Sequence, residues 1–579
     1  MGPDQPLPYD GSCFDNAQSY VASLLDFVGN NELPQTLCGG VHLLDFFTNE
    51  PDLYSKILPQ DWREFFAEHE MIDLLDLFMR EDVDLFSNGS VGRRWRDGPL
   101  PPASLVKYLV QVRQHLLNRE INVFQCSQNR TQKKLARHVA VGMNVKKVHE
   151  VGLYAEYLDQ LASSITATGH NITHLVDFGS GQNYLGRALA SEPYNRNIVA
   201  IESKAHNSER AKDYDVKAHI VEKKRMMRNK KNHRSGQEEV EAPQRAPPRS
   251  EAAKAKWPDI ERTDAVQYVD HRIQDGDLGD VIARIAAPTT EKDKAMEQSV
   301  MVMSLHSCGN LVHHGLRSLT LNPAVKAVAL VGCCYNLLTE RLGPATYKLP
   351  ELRPTTHLHP RLRSGSTTNG DAEGDPAGFP MSARLAESDV RLNITARMMA
   401  VQAPQNWGQK DSESFFTRHF YRALLQRVFL DYGIVGPPSP ECAGEASPAG
   451  HSSAGTPITI GSLRKGCYES FVAYARGALS KLCAEDAVNP ELGKLVAEKM
   501  ATVDDGMLKG YEKRFAARKK DLSVIWSLMA FSAGVVEAVI LVDRWCWLEE
   551  QEEVGEAWVE PVFGYGHSPR NLVVVGVKK

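Results

Sequence analysis

The beginning of the chain has apolar residues at the spacing of amphipathic helices. From Asn16 to about Arg80 they recur at intervals of three or four positions, with glycine and proline breaks between the runs. This period is typical of helices that bury one face. Residues 101–125 and 148–168 continue the pattern. It therefore predicts a helical N-terminal region, which we bound at residues 1–141.

At His174 the pattern changes to short runs that are apolar nearly throughout. His174–Phe178 leads into a glycine turn, a helical run over Tyr184–Ser191, and a second apolar run over Asn197–Glu202. A strand, a helix and a strand in such quick succession begin a parallel α/β sheet. Strands without polar alternation are covered on both faces. Further strand candidates are 265–269, 299–305 and 327–331.

The end of the chain holds two more strand candidates. Trp558–Phe563 and Asn571–Val577 flank a turn of Gly, Ser and Pro residues, and this arrangement predicts a β-hairpin. Before the hairpin, helical spacing over 412–432 and 463–484 predicts a helical insertion. The predicted fold class is therefore α/β. It consists of a Rossmann-like sheet with a helical N-terminal region and a helical insertion between strands five and six.

Three polar segments interrupt this pattern. Residues 222–258, 357–377 and 435–458 are of low complexity and have few apolar anchors. Such segments bury too little apolar surface to order themselves, and we predict disordered loops. The chain then divides into four regions: a helical N-terminal region 1–141, an α/β core 142–340 with the insertion 222–258, a helical insertion 341–520, and a C-terminal helix with the hairpin, 521–579.

One apolar stretch, Leu522–Val542, is long enough to cross a bilayer. Serine and glycine residues dilute its apolar character, and Glu537 within it would cost a few kcal/mol in lipid. A buried helix of a large protein has the same pattern. We predict a buried helix and no membrane partner.

Composition narrows the class of protein without identifying it. Of the 579 residues, 42% are apolar and 24% charged, which is average for soluble globular proteins. The chain has 67 Lys and Arg against 72 Asp and Glu, and a net charge of −5 excludes a globally basic nucleic-acid coat. Ten cysteines in so long a chain do not form a disulfide scaffold. We expect a cytoplasmic or nuclear protein.

The net charge hides a local basic run. Seven Lys and Arg residues lie between Lys223 and Arg234, and three glutamates follow at 238–241. The run can hold RNA phosphates, act as a nuclear localisation patch, or form a solvated linker. No aromatic residues interleave with it, which weakens the argument for single-stranded RNA. RNA and protein both stay open as partners.

The end of the first strand candidate carries the clearest chemical signal. Asp177 lies two positions before a glycine turn, Gly179-Ser180-Gly181. Glycine lets the backbone approach a ligand closely and directs N–H groups of the next helix toward it. Glu202 ends the second strand candidate, and an acid there can accept both hydroxyls of a ribose. These residues predict a nucleoside-containing cofactor.

Two classes of cofactor fit this arrangement. A dinucleotide enzyme carries G-x-G-x-x-G, and here Tyr184 stands where the third glycine belongs. An acid two positions before the first glycine of a short turn instead resembles the S-adenosyl-L-methionine site of class I methyltransferases. In that family the strand-one acid, here Asp177, helps hold the amino-acid end of the cofactor, and the strand-two acid, here Glu202, binds the ribose. Asp275, after the third strand candidate, either contacts the adenine ring or belongs to a plain turn.

Two further strand ends carry reactive side chains. Both lie at the carboxyl edge of the predicted sheet, where open α/β proteins bind their ligands. The catalytic candidates at the ends of strands four and five are His306, Cys308, Asn310, Cys333, Cys334 and Tyr335.

Four interpretations of these residues stay open. We prefer tight packing of small residues around the cofactor. A cysteine nucleophile and a general acid or base at His306 are two others. The fourth is a zinc site, since cysteine and histidine are zinc ligands. Because neighbours such as Cys333 and Cys334 chelate one tetrahedral ion poorly and no C-x-x-C pair is present, we predict no metal.

An absent motif bears on the acceptor. Enzymes that methylate exocyclic base amines usually carry an (Asp/Asn/Ser)-Pro-Pro-aromatic motif after strand four. Residues 306–309 read His-Ser-Cys-Gly instead. Adenine N6 methylation is therefore not supported by the local chemistry.

Together these segments resemble the methyltransferase-like protein 25 family, which includes a branch labelled ribosomal RNA adenine dimethylase domain-containing. The most specific matches are Leu305–Gly309 and Gly332–Tyr335, whereas the glycine turn is shared by a large superfamily. The sequence departs from the family at Asn310, where the family usually has Asp, and in the insertion 222–258. The remaining matches are Gly142–Glu150, Gly378–Ser382, Tyr421–Leu425, Leu463–Tyr468 and Ser568–Leu572.

The resemblance implies a class I methyltransferase fold and S-adenosyl-L-methionine as the cofactor. It implies that Asp177, Gly179, Gly181 and Glu202 hold the methyl donor, and that the acceptor meets the methyl group beside the ends of strands four and five. It leaves the acceptor, RNA or protein, and the oligomeric state open. A non-catalytic scaffold with this fold and a zinc-bound RNA-interaction protein are the alternatives.

Overall fold

The computed structural model describes residues 2–50, 52–86, 94–121, 135–220, 265–285, 299–342, 374–437, 457–484 and 489–579. Within them, one sheet has helices packed against both of its faces. The insertion 222–258 with its basic run, and most of 357–377 and 435–458, lie outside the described residues. The predictions made for those segments stay predictions.

Seven strands form the sheet. They are β1 (His174–Phe178), β2 (Ile198–Glu202), β3 (Val266–Asp270), β4 (Val300–Cys308), β5 (Val325–Cys334), β6 (Val554–Pro561) and β7 (Leu572–Lys578). Their order is β3-β2-β1-β4-β5-β7-β6. Strands β1 to β5 are parallel, and β7 pairs antiparallel with β5 and β6. The chain order reverses between β1 and β4, which is where open α/β sheets bind ligands.

The described α-helices alternate with the strands in the core and form the regions before and after it. They are α1 (Ala17–Asn30), α2 (Glu32–Gln35), α3 (Leu53–Ile57), α4 (Gln60–Glu68), α5 (Met71–Met79), α6 (Ala103–Gln114), α7 (Val145–Ala167), α8 (Tyr184–Ala190), α9 (Ala205–Lys217), α10 (Gly279–Arg284), α11 (Leu311–Leu321), α12 (Ala383–Glu387), α13 (Ile394–Met399), α14 (Gln409–Asp431), α15 (Phe471–Leu482), α16 (Pro490–Met500), α17 (Asp505–Phe515) and α18 (Lys519–Glu549).

The apolar runs become central strands because each face of the sheet meets its own hydrophobic cluster. Successive side chains of a strand point to opposite faces. In β1, Val176 and Phe178 join a cluster shared with the N-terminal region and α18, whereas Leu175 joins a cluster shared with α7 and α8. The sheet thus lies between two apolar layers, and the carboxyl ends of its strands are where a ligand would bind.

The predicted fold class is confirmed, including the hairpin that completes the sheet as β6 and β7. Two predicted helices have different bounds. The helix expected over 101–125 ends at Gln114. The carbonyl oxygen of the next residue, His115, accepts the Tyr20 hydroxyl at 2.9 Å instead of an N–H group of a further helical turn. The helix expected over 463–484 begins only at Phe471, where the Ser470 side chain caps its first turn.

The long apolar helix α18 lies in the interior. Among the described residues, 505–549 is the helical segment long and apolar enough to cross a membrane, and 94% of its apolar window is buried by the protein itself. Glu537 is 3% exposed and is paired with Arg119 at 2.5 Å and with Arg570. Two guanidinium groups make a buried carboxylate tolerable. The expectation of a buried helix is confirmed, and the absence of a membrane partner stays a prediction.

Candidate functional site

β1 ends in a turn that glycine adopts more easily than other residues. Gly179 and Gly181 have φ angles of 69° and 57°, in the left-handed region where a Cβ is strained. The Ser180 N–H donates to the Ile201 carbonyl at 3.0 Å, which fixes the turn against β2. No described residue lies within 4 Å of the place a Cβ on Gly181 would occupy, so that side of the turn has room for a ligand. Ser180 Oγ is buried and has no hydrogen-bond partner within the described residues.

A further glycine lies where the helix after the turn packs closely on the sheet. Gly186 lies in α8, and a Cβ on it would stand 2.0 Å from Asn183 Oδ1 and 2.8 Å from a methyl carbon of Ile198. Asn183, with a φ of 51°, forms the N-terminal cap position of the helix. The close approach of helix and strand thus depends on a glycine two positions after Tyr184.

The two acids predicted to hold the cofactor end neighbouring strands. Asp177 is 3% exposed and Glu202 is 8% exposed. Glu202 accepts the N–H of Lys204 at 2.8 Å and the Asn207 side-chain amide at 3.2 Å. Burial, followed by the charge of Glu202, raises the pKa of Asp177 to about 7. A ligand that brings a positive charge to Asp177 would relieve this repulsion, because an opposite charge favours the carboxylate.

Asp275 has a local role in the structure. Its side chain is exposed and accepts the N–H of Asp277 at 3.0 Å, which shapes the turn before α10. Gly276, with a φ of 106°, packs so closely that a Cβ would lie 2.4 Å from the His314 carbonyl oxygen. These contacts explain the turn, and the predicted adenine contact stays a prediction.

His306 lies at an irregularity where β4 and β5 lose register. Its φ is 67°, an uncommon value for a residue with a Cβ. Its Nε2 atom lies 2.9 Å from Oε2 of Glu150, which is fully buried on α7. Strained backbone of this kind is concentrated at functional sites. A buried carboxylate that orients an imidazole is the pairing used to position a general base.

Glu150 is the functional candidate that the sequence argument missed. It is within the matched segment Gly142–Glu150, but no role was derived for it. Burial raises the pKa of Glu150, and the hydrogen bond and charge of His306, with smaller contributions from Ser568 and Lys146, outweigh burial and lower it. The available signal was its position, four residues before Tyr154 on the buried face of α7. An acid on an apolar helix face requires a partner.

Asn310 connects the loops that follow β4 and β5. Its side-chain carbonyl accepts the Thr339 N–H at 3.1 Å, and its amide donates to Thr339 Oγ1 at 2.6 Å and to Asp375 Oδ2 at 3.1 Å. The amide thus supplies a donor that an aspartate would lack. This network explains how the sequence accommodates Asn where the family usually has Asp, and a catalytic role for Asn310 stays a prediction.

The structure brings the three predicted cysteines together. Cys308 Sγ lies 3.3 Å from Cys334 Sγ and 3.7 Å from Cys333 Sγ, and the last two sulfur atoms are 3.4 Å apart. The hydrogen bond from Cys333 lowers the pKa of Cys308, but the bond with Cys334 and burial outweigh it and raise that pKa to about 11. A thiolate nucleophile is therefore not favoured without an added cation.

Tyr335 lies in the interior. It is 2% exposed, and its hydroxyl donates to Glu537 Oε1 at 2.7 Å. Burial, followed by the charge of Glu537, raises the pKa of Tyr335. Its hydroxyl thus joins the ion-pair network of α18, and its predicted catalytic role stays a prediction.

The order of the sheet, the glycine turn and the paired acids define a class of protein. A family model described as a methyltransferase domain matches residues 146–341, which include β1 to β5 and all the residues of the glycine turn. The chain therefore contains a methyltransferase domain with a Rossmann-like fold.

The particular relatives agree with the resemblance seen in the sequence. The chain is 28% identical over 290 residues to the human protein called probable methyltransferase-like protein 25, with 49% of this chain and 38% of the relative covered. The mouse protein of the same name is 27% identical over 285 residues, with the same shares covered. The match thus spans about 38% of the length of these relatives. No solved structure matches the chain. The predicted resemblance is confirmed.

Proposed function

We propose that the chain is an S-adenosyl-L-methionine-dependent methyltransferase. The observation that carries the proposal is the pair of buried acids, Asp177 and Glu202, at neighbouring strand ends beside a turn in which Gly181 leaves open space. The donor set fits this cofactor, since one carboxylate can pair with an ammonium group and the other can accept ribose hydroxyls. When bound, the cofactor supplies an electrophilic methyl group.

Each of these residues has a separate task. Asp177 binds the amino-acid end of the cofactor through charge, and Glu202 accepts hydroxyl donors in addition to its two protein donors. The turn Gly179–Gly181 contributes backbone groups and room, and the Ser180 hydroxyl, which has no partner in the described part of the chain, is available to the ligand. Methyl transfer is an in-line displacement, so positioning supplies most of the rate enhancement.

The His306–Glu150 pair is the best candidate for proton transfer from the acceptor. The lowered pKa of Glu150 keeps its carboxylate ionised, so it fixes the imidazole and stabilises the imidazolium that forms. His306 is 29% exposed on its side chain, whereas Glu150 is fully buried. The imidazole therefore faces a substrate from one side and its orienting acid from the other.

The acceptor is an RNA or a protein, and the enzyme acts in the cytoplasm or the nucleus. The missing Pro-Pro-aromatic motif at 306–309 argues against an exocyclic base amine. A non-catalytic scaffold that keeps the fold is the second candidate. It is supported by the structural engagement of Asn310 and Tyr335, two of the predicted catalytic residues.

Calorimetry with S-adenosyl-L-methionine separates the two candidates. We expect binding by the wild-type chain, loss of binding in Asp177→Ala, and unchanged binding in Asp213→Ala, which removes an exposed acid from α9. Labelled-methyl transfer into cell extracts, sorted by nuclease and protease sensitivity, then identifies the acceptor class. If the folded wild-type chain did not bind S-adenosyl-L-methionine, the proposal that it is a methyltransferase would be refuted.

A further inference from the structure

Three thiols converge at the carboxyl edge of the sheet. The sulfur atoms of Cys308, Cys333 and Cys334 form a triangle with sides of 3.3, 3.4 and 3.7 Å. Each side is far longer than the S–S bond of a disulfide, about 2.0 Å. Within the described residues none of the three forms a disulfide, and Cys308 is exposed. The cluster is therefore accessible to a ligand from solvent.

The backbone explains how neighbouring cysteines come to share one side. In a regular strand, successive side chains point to opposite faces. Cys334 leaves the strand conformation, with φ −101° and ψ 71°, where β5 ends. Cys308 pairs with Cys334 across β4 and β5 just after a register shift. This local irregularity removes the objection that Cys333 and Cys334 are adjacent and chelate poorly.

The triangle has the size of one face of a zinc site. With Zn–S distances of about 2.3 Å and tetrahedral angles, bound sulfur atoms stand about 3.8 Å apart. The longest side, from Cys308 to Cys333, is 3.7 Å, and the two others are a few tenths of an ångström shorter. Small rotations of the thiol side chains are enough to reach the coordinated geometry.

A buried positive charge lies beside the cluster. Arg544 of α18 is 1% exposed, and its Nε and Nη1 atoms have no hydrogen-bond partner within the described residues. Its Nη1 lies 2.8 Å from the place a Cβ on Gly332 would occupy, directly before Cys333. Negative charge at the cluster would add to that of Asp543 and Glu537, which already act on this buried cation.

We propose that Cys308, Cys333 and Cys334 bind one zinc ion as three thiolates. Among the described residues no fourth histidine, cysteine or carboxylate joins the group. Three protein ligands with an open fourth position are typical of zinc sites that take water or an exogenous ligand. Soft thiolate ligands favour zinc over magnesium or calcium. The site differs from the acids of the methyl-donor site, and zinc binding does not depend on donor binding.

The test uses the full chain, purified under reducing conditions, incubated with zinc and desalted. Elemental analysis should give about one zinc per chain. Cobalt substitution should give a thiolate charge-transfer band and the visible absorption of a tetrahedral site. Cys308→Ser and Cys334→Ser should each lose the bound metal, whereas Cys483→Ser, which changes a cysteine outside the cluster, should retain it. Urea unfolding of each variant identifies loss of metal that results only from loss of fold.

Several results would overturn the proposal. One is a folded, reduced wild-type chain that retains no zinc, and another is full zinc retention in Cys308→Ser. Iron or copper bound in place of zinc would refute the identity of the metal. A disulfide from Cys308 to either partner that persists in the chain after purification under reducing conditions would assign the cluster to thiol redox chemistry instead.

Discussion

Asp177 couples the stability of the fold to pH. Its pKa is raised from 3.8 to about 7 by burial and by Glu202, so the folded chain holds this proton more tightly than the unfolded chain. The residue therefore stabilises the fold below its unfolded pKa, and this contribution is lost as the pH rises through the folded pKa. The full loss is of the order of 4 kcal/mol.

Replacing Asp177 should remove its contribution to the pH dependence of stability between its unfolded pKa of 3.8 and its folded pKa of about 7. We expect Asp177→Asn to have a higher free energy of unfolding than the wild type at pH 8, and the difference to shrink as the pH falls toward 5. Urea unfolding at four pH values between 5 and 8 measures it. Parallel pH profiles for the two proteins would contradict the assignment.

Glu150 should affect the chemical step and leave cofactor binding unchanged. Removing its charge in Glu150→Gln leaves the His306 imidazole without a counter-ion, so we expect the methyl-transfer rate to fall about 10²-fold. Affinity for S-adenosyl-L-methionine should stay within about twofold, because Glu150 is on α7 and the acids of the donor site are on β1 and β2. Label transfer and calorimetry give the two quantities.

Glu156→Gln is the matched control for this variant, since it changes a less buried acid further along the same helix. It should leave both quantities unaltered. Equal losses in rate and in cofactor affinity for Glu150→Gln would instead assign Glu150 a structural role.

At the residue scale, the sequence predicted the positions that follow from strand ends and missed a contact made by a helix. Asp177 and Glu202 were predictable because strand ends of a parallel sheet meet at one edge. Glu150 was not, because its partner His306 is 156 positions away and is aimed at it by an irregular, positive-φ backbone. Asn310 was predicted to be catalytic, and the hydrogen bonds of its side chain in the structure join it to Thr339 and Asp375.

At the scale of elements, α8 packs on the sheet through a glycine. A Cβ on Gly186 would stand 2.0 Å from Asn183 Oδ1 and 2.8 Å from Ile198. We expect Gly186→Ala to lower the free energy of unfolding by about 1–3 kcal/mol, because overpacking moves the helix or its cap. Denaturant unfolding at constant pH measures the change.

Gly510→Ala should raise the free energy of unfolding, in contrast to Gly186→Ala. Gly510 lies within α17, and none of the residues that the structure describes stands within 4 Å of a Cβ placed there. An alanine at an open helix position should stabilise the chain by about 0.5–1 kcal/mol, because it restricts the unfolded chain. If both variants changed stability equally, close packing at Gly186 would not be the cause.

Element types were easier to predict than element ends. Apolar runs such as Asn197–Glu202 identified the strands because a sheet covered on both faces cannot alternate polar and apolar positions. The irregularity in β4 just before Cys308 leaves no apolar pattern in the sequence, because it arises from how β4 pairs with β5. The same tertiary dependence ended the helix predicted over 101–125 at Gln114.

At the scale of the whole molecule, a buried charge joins regions that are distant in sequence. Glu537 of α18 is paired with Arg119 of the N-terminal region and Arg570 before β7, and it accepts the Tyr335 hydroxyl that follows β5. The Arg570 side chain also donates to the Gln402 carbonyl of the insertion at 2.8 Å. One carboxylate thus holds together the parts that surround the sheet.

Loss of this carboxylate should destabilise the whole fold. Burial raises the pKa of Glu537, but the charges and hydrogen bonds of Arg119 and Arg570 outweigh burial and lower it to about 2. Its contribution is therefore present above the unfolded pKa and is lost as the pH falls through the folded value. We expect Glu537→Ala, which leaves both guanidinium groups without their shared partner, to cost about 3–5 kcal/mol at pH 7.

Two comparisons test whether the pairing itself accounts for this cost. Tyr335→Phe removes one hydrogen bond to Glu537 and keeps both arginine pairs, so it should cost only about 1–2 kcal/mol. The difference between wild type and Glu537→Ala should narrow between pH 5 and pH 2, as the wild-type carboxylate becomes protonated. Unfolding followed by circular dichroism across that range measures both effects. A difference that stays constant with pH would show that lost packing, and not charge pairing, makes Glu537 important.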